Sequence, residues 1–383
     1  MRIGYLYNFR AYPPKGGNHV HALELTQGFI REGHDVSVID DPTMPGVTNY
    51  VGQKENLVEF VNSIDVLYIR IDARFTQQWE IMSECINLAD DRPIVWEINS
   101  PSNEVMAYSW LGGKSVSGPE SFLRILKRRL HAASYIIDVR REEKYRRSLA
   151  KHVSTAICVS KLLSNYASDE LKIDDVVVLP NGGPLISKEE IVQRKRKRKD
   201  ESFTVLYSGS AMYPWQGLDY LSQVIKLAEK EEPDILFVLA VNQITEDLPR
   251  SSNVKILEHL DREQILDAIC CADACVSLHP EYPWSKYNFH NSPMKLFEYM
   301  ACMAPSISSN HGQMRDLIED GVNGLLCENN PKHILEKIKF LRGNPEQAKI
   351  IGQNGWEAIQ SKFSWQNNVN KTLEIFQRNL TSK

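Results

Sequence analysis

Short apolar strands alternate with helical segments twice along this chain, and this alternation constrains the fold more than any other feature. The first series runs from residue 2 to about residue 179, and the second begins at residue 203. The predicted strands are residues 3–7, 35–39, 66–70, 94–98 and 155–159 in the first series, and 203–207, 235–240, 254–257, 274–278 and 306–308 in the second. Strands that alternate with helices form parallel sheets covered by helices on both faces. We therefore predict an α/β fold with two such sheets.

The length of 383 residues predicts two domains, because single hydrophobic cores stop growing below that size. We predict a first Rossmann-like domain at residues 1–180, joined by a C-terminal helix at about 365–383, and a second at residues 181–364. Residues 194–200, a run of Lys and Arg ending in Asp, are interpreted as a solvated loop or linker. Ligands of such folds bind beyond the carboxyl ends of the strands, in the cleft between domains.

Composition and patterning exclude several classes of protein. The chain begins with the strand-like MRIGYLYNF and not with a signal peptide, and no apolar run is long enough to span a bilayer. The 7 cysteines are odd in number and form no CxxC pair, which favours free thiols in a reducing cytoplasm and no zinc site. The net charge of -4 argues against a general nucleic-acid binder. We therefore expect a cytoplasmic protein without a metal site.

The segment HNSPMKLFEYMA, residues 290–301, carries the clearest chemical signal. Pro293 suits the first turn of a helix, so the unpaired amides and the dipole of that helix would face an anion. Lys295 adds a positive charge, and Glu298 lies one turn later on the same face, where it would accept protons from ribose hydroxyls. The amides concerned are those of Asn291, Ser292 and Met294. This pattern predicts a sugar-nucleotide site; the alternative is an ordinary capped helix whose Lys and Glu form a surface pair.

The order of motifs along the chain resembles that of family 4 of the retaining glycosyltransferases, which have the architecture of two Rossmann-like domains called GT-B. The resemblance covers nearly the whole chain. It implies that the second domain binds a donor sugar nucleotide and that the first domain faces the acceptor. The segments that carry it are residues 13–18, 33–36, 159–161, 178–183, 207–219, 292–301, 321–326 and 356–376.

The resemblance also implies roles for single residues. Gly16 and Gly17 would let backbone amides approach a diphosphate or a sugar closely, although they would equally make a simple strand–helix turn. Residues 257–260 would wrap around the nucleotide base, or merely close a strand. The residues implied in donor binding are Gly16, Gly17, Gly209, Ser210, Gln216, Leu257, His259, Asn291, Ser292, Pro293, Met294, Lys295 and Glu298. Those implied in catalysis are Asn99, His290 and Lys295.

The chain departs from the family pattern at four of these positions. Ser210 and Gln216 stand where the family usually has Arg and Lys, so two positive charges are missing. His290 replaces the first Glu of a common Glu-x7-Glu pattern, which removes the acidic group expected near the sugar hydroxyls and leaves His290 as a contact to sugar or phosphate. Asn99 replaces a common histidine; it can hydrogen-bond a sugar but cannot shuttle a proton.

The reaction implied by the resemblance is transfer of a hexose from a nucleoside diphosphate sugar with retention of configuration. No protein nucleophile is needed, because the acceptor hydroxyl attacks the face that the diphosphate leaves and a phosphate oxygen takes its proton. An Asp-x-Asp metal motif is absent from the sequence, which fits a metal-independent site. We expect no cofactor; the donor substrate is expected to be a UDP-sugar, with glucose or a similar hexose as the leading prediction.

The acceptor is expected to be a glycan or a lipid-linked saccharide. Basic residues are dense on predicted helices within residues 124–152, which would suit contact with an anionic membrane at its inner face, although a solvated helix face is the alternative. Tyr108 and Trp110, near Gly112 and Gly113, would stack on sugar rings or pack a loop.

Two other functions stay open at the level of sequence. A catalytically silent sugar-nucleotide-binding or scaffold protein would explain the missing charges at Ser210 and Gln216. A sugar-nucleotide epimerase would share the double Rossmann shape, but it needs acid and base groups that Asn99 and His290 do not supply together.

Overall fold

Two parallel sheets, each closed on both faces by helices, form the frame of this protein. The computed structural model describes residues 1–14, 16–72, 79–106, 122–198, 201–246 and 248–382, with backbone alone for Val105, residues 122–135 and Pro214. The first sheet has 7 strands in the order β3-β2-β1-β4-β5-β6-β7. They are β1 Arg2–Leu6, β2 Asp35–Ile39, β3 Thr48–Tyr50, β4 Val66–Ile71, β5 Ile94–Ile98, β6 Thr155–Cys158 and β7 Val176–Val178.

The second sheet has 6 strands in the order β10-β9-β8-β11-β12-β13. They are β8 Thr204–Gly209, β9 Leu236–Val241, β10 Val254–Glu258, β11 Ala274–Ser277, β12 Ser306–Ser309 and β13 Leu325–Cys327. The described strand pairs are parallel in both sheets. The carboxyl ends of the strands within each sheet therefore lie on one edge.

Helices connect the strands. In the first domain they are α1 Gly17–Arg31, α2 Lys54–Ser63, α3 Trp79–Leu88, α4 Phe122–Ala150 and α5 Lys161–Asp169. In the second they are α6 Lys188–Lys195, α7 Leu218–Glu231, α8 Arg262–Cys271, α9 Met294–Ala301, α10 Gly312–Leu317, α11 Pro331–Gly343 and α12 Pro345–Ala358, followed by α13 Trp365–Thr381. Short 3₁₀ helices lie at Ser102–Met106 and Pro214–Gln216, and a π-helical turn at Ile359–Phe363 joins α12 to α13. None of the described helices is both long and apolar enough to cross a membrane.

These two sheets confirm the predicted α/β fold. The predicted strands agree with the structure to within one or two residues at their ends, because buried β-branched and aromatic runs identify them. The short strands β3, β7 and β13 were not predicted. Each has 3 residues, too few for a periodic pattern to be recognised.

Apolar side chains alternate between the two faces of the first sheet. In β5, Trp96 is completely buried in the cluster on one face, whereas Val95 is completely buried in the cluster on the other. Both faces are therefore covered, as expected of a parallel sheet between helices. Glu97, the polar residue of this strand, is 1% exposed, and its partners are described with the site.

The last helix returns to the first domain. Phe376 of α13 packs against Phe29 at a ring distance of 5.7 Å and against Tyr68 at 5.1 Å. Helix α1 comes so close to α13 that a Cβ atom on Gly28 would lie 2.2 Å from Cγ2 of Val369. Glycine at this position therefore permits the close packing of the two helices.

The two connections between the domains run side by side. The amide of Gly183 donates to the carbonyl of Phe363 over 2.8 Å, and the amide of Trp365 donates to the carbonyl of Gly183 over 3.0 Å. A Cβ atom on Gly182 would lie 2.5 Å from the amide nitrogen of Trp365, so this contact requires glycine. The first connection thus pairs with the second as a short parallel bridge.

Candidate functional site

Helix α9 begins at the carboxyl edge of the second sheet and points its first turn at the first domain. Pro293 is its N-cap and makes no side-chain capping bond. Leu296 and Phe297 anchor the helix in the core, since both are completely buried. This anchoring fixes the direction of Lys295 and Glu298, which lie one turn apart.

Lys295 lies against the loop that follows β8. Its Nζ atom donates a hydrogen bond of 2.6 Å to Oε1 of Gln216 and lies 4.1 Å from the centre of the Tyr207 ring. A Cβ atom on Gly209, which has φ 150°, would approach Nζ to 2.9 Å. The structure therefore brings Gly209, Gln216 and Lys295 together, as the sequence predicted; their role in donor binding stays a prediction.

Burial lowers the pKa of Lys295 to about 7, and the nearby carboxylate of Glu298 offsets only part of this effect. In the low dielectric of a buried site the charged ammonium is disfavoured unless an anion accompanies it. Near neutral pH, an arriving anion would therefore bind the protonated amine and stabilise it.

Ser210, the other departure in this loop, is held by local hydrogen bonds. Its Oγ accepts the amide of Met212 at 3.2 Å, and its carbonyl accepts the hydroxyl of Tyr207 at 3.1 Å. These contacts fix the loop beside Lys295 without adding a positive charge. An ordered turn therefore stands at this position, where the family usually has a positively charged side chain.

Glu298 lies in a cluster of charges that crosses the cleft. Its pKa is raised by burial, while Arg262 and Lys295 lower it and Glu24 raises it further. Arg262 of α8 also forms an ion pair of 2.7 Å with Glu24 of α1. Arg262 and Glu24 were not predicted from the sequence, because the two residues come from different domains.

The glycine loop of the first domain faces the beginning of α9. Gly16 is the extended N-cap of α1, and Gly17 is the first residue of that helix. A Cβ atom on Gly17 would lie 3.1 Å from Sδ of Met294. The N-termini of α1 and α9 therefore meet across the cleft, where both present unpaired amides and the positive ends of their dipoles. This arrangement suits an anion.

Ser292 connects the domains. Its Oγ accepts the amide of Asn181 at 3.1 Å, and its carbonyl accepts the side-chain amide of Asn181 at 2.8 Å. Asn181 in turn contacts Nδ1 of His21 at 2.7 Å through its Oδ1 atom. The hydroxyl of Ser292 is thus engaged in positioning α9 against the first domain.

Asn99 belongs to a buried cluster around Glu97. Its Nδ2 donates to Oε1 of Glu97 at 2.5 Å, and Nη1 of Arg70 donates to the same atom at 2.7 Å. The other carboxylate oxygen accepts the hydroxyl of Tyr68 at 2.7 Å, and Nε2 of His21 lies 2.9 Å from Oε1. Burial acts to raise the pKa of Glu97, but His21 and Arg70 outweigh it and keep the pKa well below its ordinary value.

This cluster links the first domain to α9 through His21, Asn181 and Ser292. Asn99 was predicted from the sequence and Glu97 was not, although a Glu within the apolar run IVWEI indicates a buried charge that needs partners. Because Asn99 donates its amide to the carboxylate of Glu97, it helps to fix this linkage.

His290 is completely buried and faces the first domain. Its backbone carbonyl accepts the hydroxyl of Ser160 at 2.6 Å, and its Nε2 lies 3.8 Å from Oε1 of Glu104. Asn291 donates its Nδ2 to the same carboxylate oxygen at 3.1 Å. The first Glu of the family pattern is replaced here by His290, and Glu104 of the first domain brings a carboxylate to within 3.8 Å of its side chain.

Leu257 and His259 mark the carboxyl end of β10, on the same sheet edge as Gly209. His259 has φ 56°, its side chain is 76% exposed, and its Nε2 lies 3.7 Å from the carboxylate of Glu258. Arg262 begins α8 after the N-cap Asp261, so this turn leads into the charge cluster around Glu298. Contact with a nucleotide base stays a prediction for both residues.

Some of the predicted residues lie outside the described part of the chain. Tyr108, Trp110, Gly112 and Gly113 lie outside the described residues, as do the side chains of residues 124–130. Within the part that is described, no group of three or more His, Cys, Asp or Glu side chains is arranged to hold a metal ion. The described cysteines form no disulfide.

Comparison with known proteins finds a family match in the second domain. Residues 188–358 match the family model "Glycosyl transferases group 1". An uncharacterized glycosyltransferase of Methanocaldococcus jannaschii is 31% identical over 226 residues, and this match spans 58% of this chain and 58% of that protein.

Two solved structures share the whole fold. A sucrose-phosphate synthase from Thermosynechococcus elongatus has a TM-score of 0.69 at 15% identity and covers 100% of both chains. Anabaena HepE in complex with UDP has a TM-score of 0.68 at 16% identity, covering 99% of this chain and 100% of that one. At this identity the likeness concerns the fold, and it confirms the GT-B architecture. The family match lies within the second domain, and there the chain is similar to the group 1 glycosyltransferases.

Proposed function

We propose that the protein is a retaining glycosyltransferase that moves a hexose from a nucleoside diphosphate sugar to a glycan or lipid-linked acceptor. The observation that carries this proposal is that α9, which bears Lys295 and Glu298, meets a glycine loop from each domain, at Lys295 in the second and at Met294 against the first. A basic group, a ribose-binding carboxylate and close backbone amides are the elements that a nucleoside diphosphate requires.

The donor would lie along α9. Glu298 would accept hydrogen bonds from the ribose, and Lys295 would bind the diphosphate together with the amides near Gly17 and Gly209. The phosphate would restore full protonation to the buried Lys295, whose pKa is about 7 when no anion is present. Negative charge grows on the diphosphate as the sugar leaves, so this ammonium would stabilise the transition state more than the ground state.

The chemistry proposed for the sugar needs no protein nucleophile. The acceptor oxygen forms a bond to the anomeric carbon on the face from which the diphosphate departs, and a phosphate oxygen takes the acceptor proton. The transition state resembles an oxocarbenium ion. The protein contributes position and charge, and the proposal includes no metal ion.

The donor is proposed to be a UDP-sugar, with UDP-glucose as the first candidate. Anabaena HepE, which shares the fold, has been crystallised with UDP and with UDP-glucose. In this chain, the turn at Leu257 and His259 is the segment proposed to contact the base.

The acceptor is proposed to be part of polysaccharide or glycoconjugate synthesis, at the inner face of a membrane when it is lipid-linked. The described part of α4 presents Arg140, Arg141, Lys144 and Arg147. On the same helix Ile137 is 70% exposed. Basic side chains beside an exposed apolar one suit an anionic lipid surface.

A catalytically silent sugar-nucleotide-binding protein is the second candidate. It is favoured by Gln216, which holds Lys295 with a neutral amide where the related enzymes usually carry a further cation. Such a protein would bind the donor and release no diphosphate.

Calorimetric titration with a panel of nucleoside diphosphates and their sugars tests the proposal, followed by incubation of the tightest ligand with and without acceptors. Binding of one sugar nucleotide with slow release of its diphosphate supports the transferase. Binding without release under any acceptor supports the silent protein, and conversion of the donor sugar without an acceptor supports an epimerase. Absence of binding across the panel contradicts all three.

A further inference from the structure

A buried histidine, His279, lies at the carboxyl edge of the second sheet and within electrostatic range of Lys295. It is the second residue after β11, and only 3% of it is exposed. Its ring packs against the ring of Phe289, with the two centres 4.7 Å apart. An ionisable side chain is seldom buried unless its polar atoms have partners. The partners of His279 therefore indicate its role.

The two ring nitrogens of His279 contact different parts of the domain. Nδ1 lies 2.9 Å from the carbonyl oxygen of Trp215, which can only accept, so Nδ1 carries a proton. Nε2 lies 3.1 Å from Oγ of Ser277. In the neutral ring Nε2 is an acceptor, so the hydroxyl of Ser277 donates to it. The ring is thus held in one tautomer between the sheet and the loop that follows β8.

His279 is neutral near pH 7. Burial holds its pKa well below the ordinary value, and the titratable groups that act on it, Lys295 and His311, lower the pKa further. The contact with the carbonyl of Trp215 raises the pKa but does not outweigh these effects. A second proton, on Nε2, would break the contact from Ser277 and would place a positive charge near the ammonium of Lys295. The neutral ring avoids this repulsion.

The backbone of His279 is fixed by the neighbouring strands and loops. Its amide donates to Oγ of Ser309, the last residue of β12, at 2.9 Å. Its carbonyl accepts Nε2 of His311 at 2.9 Å and Nδ2 of Asn329 at 2.7 Å. Because the backbone is held through both its amide and its carbonyl, the Nδ1 donor of the ring has a defined position.

The loop that presents Gln216 is held on both sides of that residue. Trp215 comes directly before it, and its carbonyl accepts Nδ1 of His279. Gly217 comes directly after it and has φ 68°, and a Cβ atom on Gly217 would lie 2.2 Å from the carbonyl oxygen of Leu278. Leu278 and His279 are consecutive. The two residues that follow β11 therefore fix the loop immediately before and after Gln216.

The position of Gln216 matters because its Oε1 atom accepts the hydrogen bond from Nζ of Lys295 at 2.6 Å. A shift of about 1 Å in the loop would take this contact beyond hydrogen-bonding distance. An uncharged acceptor attracts an ammonium less strongly than a carboxylate does, so its position has to be fixed by the protein. Without that contact Lys295 would lose its orientation.

We propose that His279 is a positioning residue, which holds Gln216 through the carbonyl of Trp215 and thereby orients Lys295 for the diphosphate. His279 itself touches no substrate in this proposal. The inference rests on the proposed function, because it takes Lys295 as the group that contacts the diphosphate. It gives a role to a buried histidine that lies behind the phosphate loop.

A double-mutant cycle between His279 and Gln216 tests the inference, with calorimetry of UDP, inorganic pyrophosphate and uridine for the full chain and its variants. His279→Gln moves the side-chain amide toward the place of Nε2 and removes the donor to the carbonyl of Trp215. His279→Asn keeps a donor near the place of Nδ1. Ser308→Ala is the matched control, because Ser308 is a buried serine of the same sheet edge whose Oγ donates to the carbonyl of Ser277 at 3.0 Å.

We expect His279→Gln to weaken UDP binding by roughly three- to tenfold, the range for losing one hydrogen bond, and to change uridine binding by less than about twofold. In a Gln216→Ala background the same substitution should weaken UDP binding by less than about twofold, because no amide is left to be positioned. His279→Asn and Ser308→Ala should each bind UDP within about twofold of the unchanged chain. Thermal unfolding establishes that each variant is folded.

An additive cycle, with the same loss in both backgrounds, would show that His279 does not act through Gln216. That result, or equal losses of UDP and uridine affinity, overturns the inference and leaves the proposed function standing. If His279→Gln does not fold, Gly217→Ala replaces it in the cycle, because it displaces the loop on the other side of Gln216 and leaves His279 intact.

The two diphosphate probes distinguish failure of the inference from failure of the proposed function. If pyrophosphate binds and UDP does not, the proposed function is contradicted, and the same cycle measured with pyrophosphate decides the role of His279. If neither ligand binds to the unchanged chain, Lys295 receives no diphosphate, and both proposals are contradicted.

Discussion

The Nζ atom of Lys295 and the Oε1 atom of Gln216 lie 2.6 Å apart, so a neutral amide holds a buried ammonium at the first turn of α9. The partner is an acceptor that remains uncharged at all pH values. Lys295 thus has no strong counter-charge at its tip, and burial lowers its pKa to about 7. An anion that reaches Nζ of Lys295 would supply the negative charge that Gln216 lacks.

Removing the amine should separate the phosphate contact from the nucleoside contact. We expect Lys295→Ala to weaken nucleoside diphosphate binding by about 1–3 kcal/mol, because a charge-assisted hydrogen bond is lost. Binding of the bare nucleoside should change little. Calorimetry with UDP and uridine measures both, and equal losses would mean that Lys295 only supports the structure.

The affinity for a sugar nucleotide should depend on pH through Lys295. Its pKa is about 7 without an anion and rises when a diphosphate binds, so binding takes up a proton above pH 7. Affinity should therefore be greatest below pH 7 and fall above it by up to about tenfold per pH unit. Lys295→Arg should abolish this fall, because arginine stays charged. Titration of UDP-glucose from pH 6.5 to 8.5 checks the slope; a flat profile for the unchanged chain would contradict the assignment.

Replacing Gln216 by Glu should shift the pH dependence of UDP-glucose affinity. A carboxylate at this place would raise the pKa of Lys295 and would also repel the diphosphate. We expect Gln216→Glu to weaken UDP-glucose binding below pH 7 and to shift the alkaline fall to higher pH. Gln216→Ala serves as the control, since it removes the amide without adding charge and should leave the midpoint near the original value.

Glu298 should be needed for ribose binding. We expect Glu298→Gln to reduce nucleotide affinity by about 1–3 kcal/mol, the range for a lost charge-assisted hydrogen bond. Titration with UDP and with 2′-deoxy-UDP distinguishes the role, because the variant should no longer discriminate between them as strongly. An unchanged dissociation constant would remove Glu298 from the ribose role.

The packing of α1 on α13 should be sensitive to one methyl group. A Cβ atom on Gly28 would lie 2.2 Å from Cγ2 of Val369, so Gly28→Ala should destabilise the protein by about 1–3 kcal/mol despite the better helix propensity of alanine. Adding Val369→Ala should recover part of this loss. Gly343→Ala is the control, because its Cβ would meet nothing within 4 Å. Thermal or urea unfolding measures the changes; equal stability of Gly28→Ala and Gly343→Ala would contradict the packing argument.

The sequence predicted the fold well, because the evidence for it is local. Buried strands such as Ile94–Ile98 and the Pro-to-Glu pattern at 293–298 can be recognised within a few residues. The family resemblance assigned Lys295 and Gln216 to one donor site, and in the structure these residues, 79 positions apart, form a hydrogen bond.

The remaining site residues could not be predicted because their partners are distant in sequence. Glu104 and Asn291 are 187 positions apart and meet only when the domains pack together. The Glu24–Arg262 ion pair likewise joins residues of the two domains, and the sequence around either residue does not mark it as part of a site. The residues that connect the domains are those that single-sequence patterns identify least well.

The paired crossings at Gly183 and Ser364 limit how this protein can move. Two chain segments tied by backbone hydrogen bonds allow the domains to swing about the line that they define, but resist twisting and sliding. Gly17 and Met294 are remote in sequence from these crossings. The distance between them can then change while the distance between Gly183 and Phe363 stays fixed. The cleft would thus open by a hinge rotation about the paired crossings. It would admit a ligand from the side opposite the hinge and return to the same arrangement each time it closes.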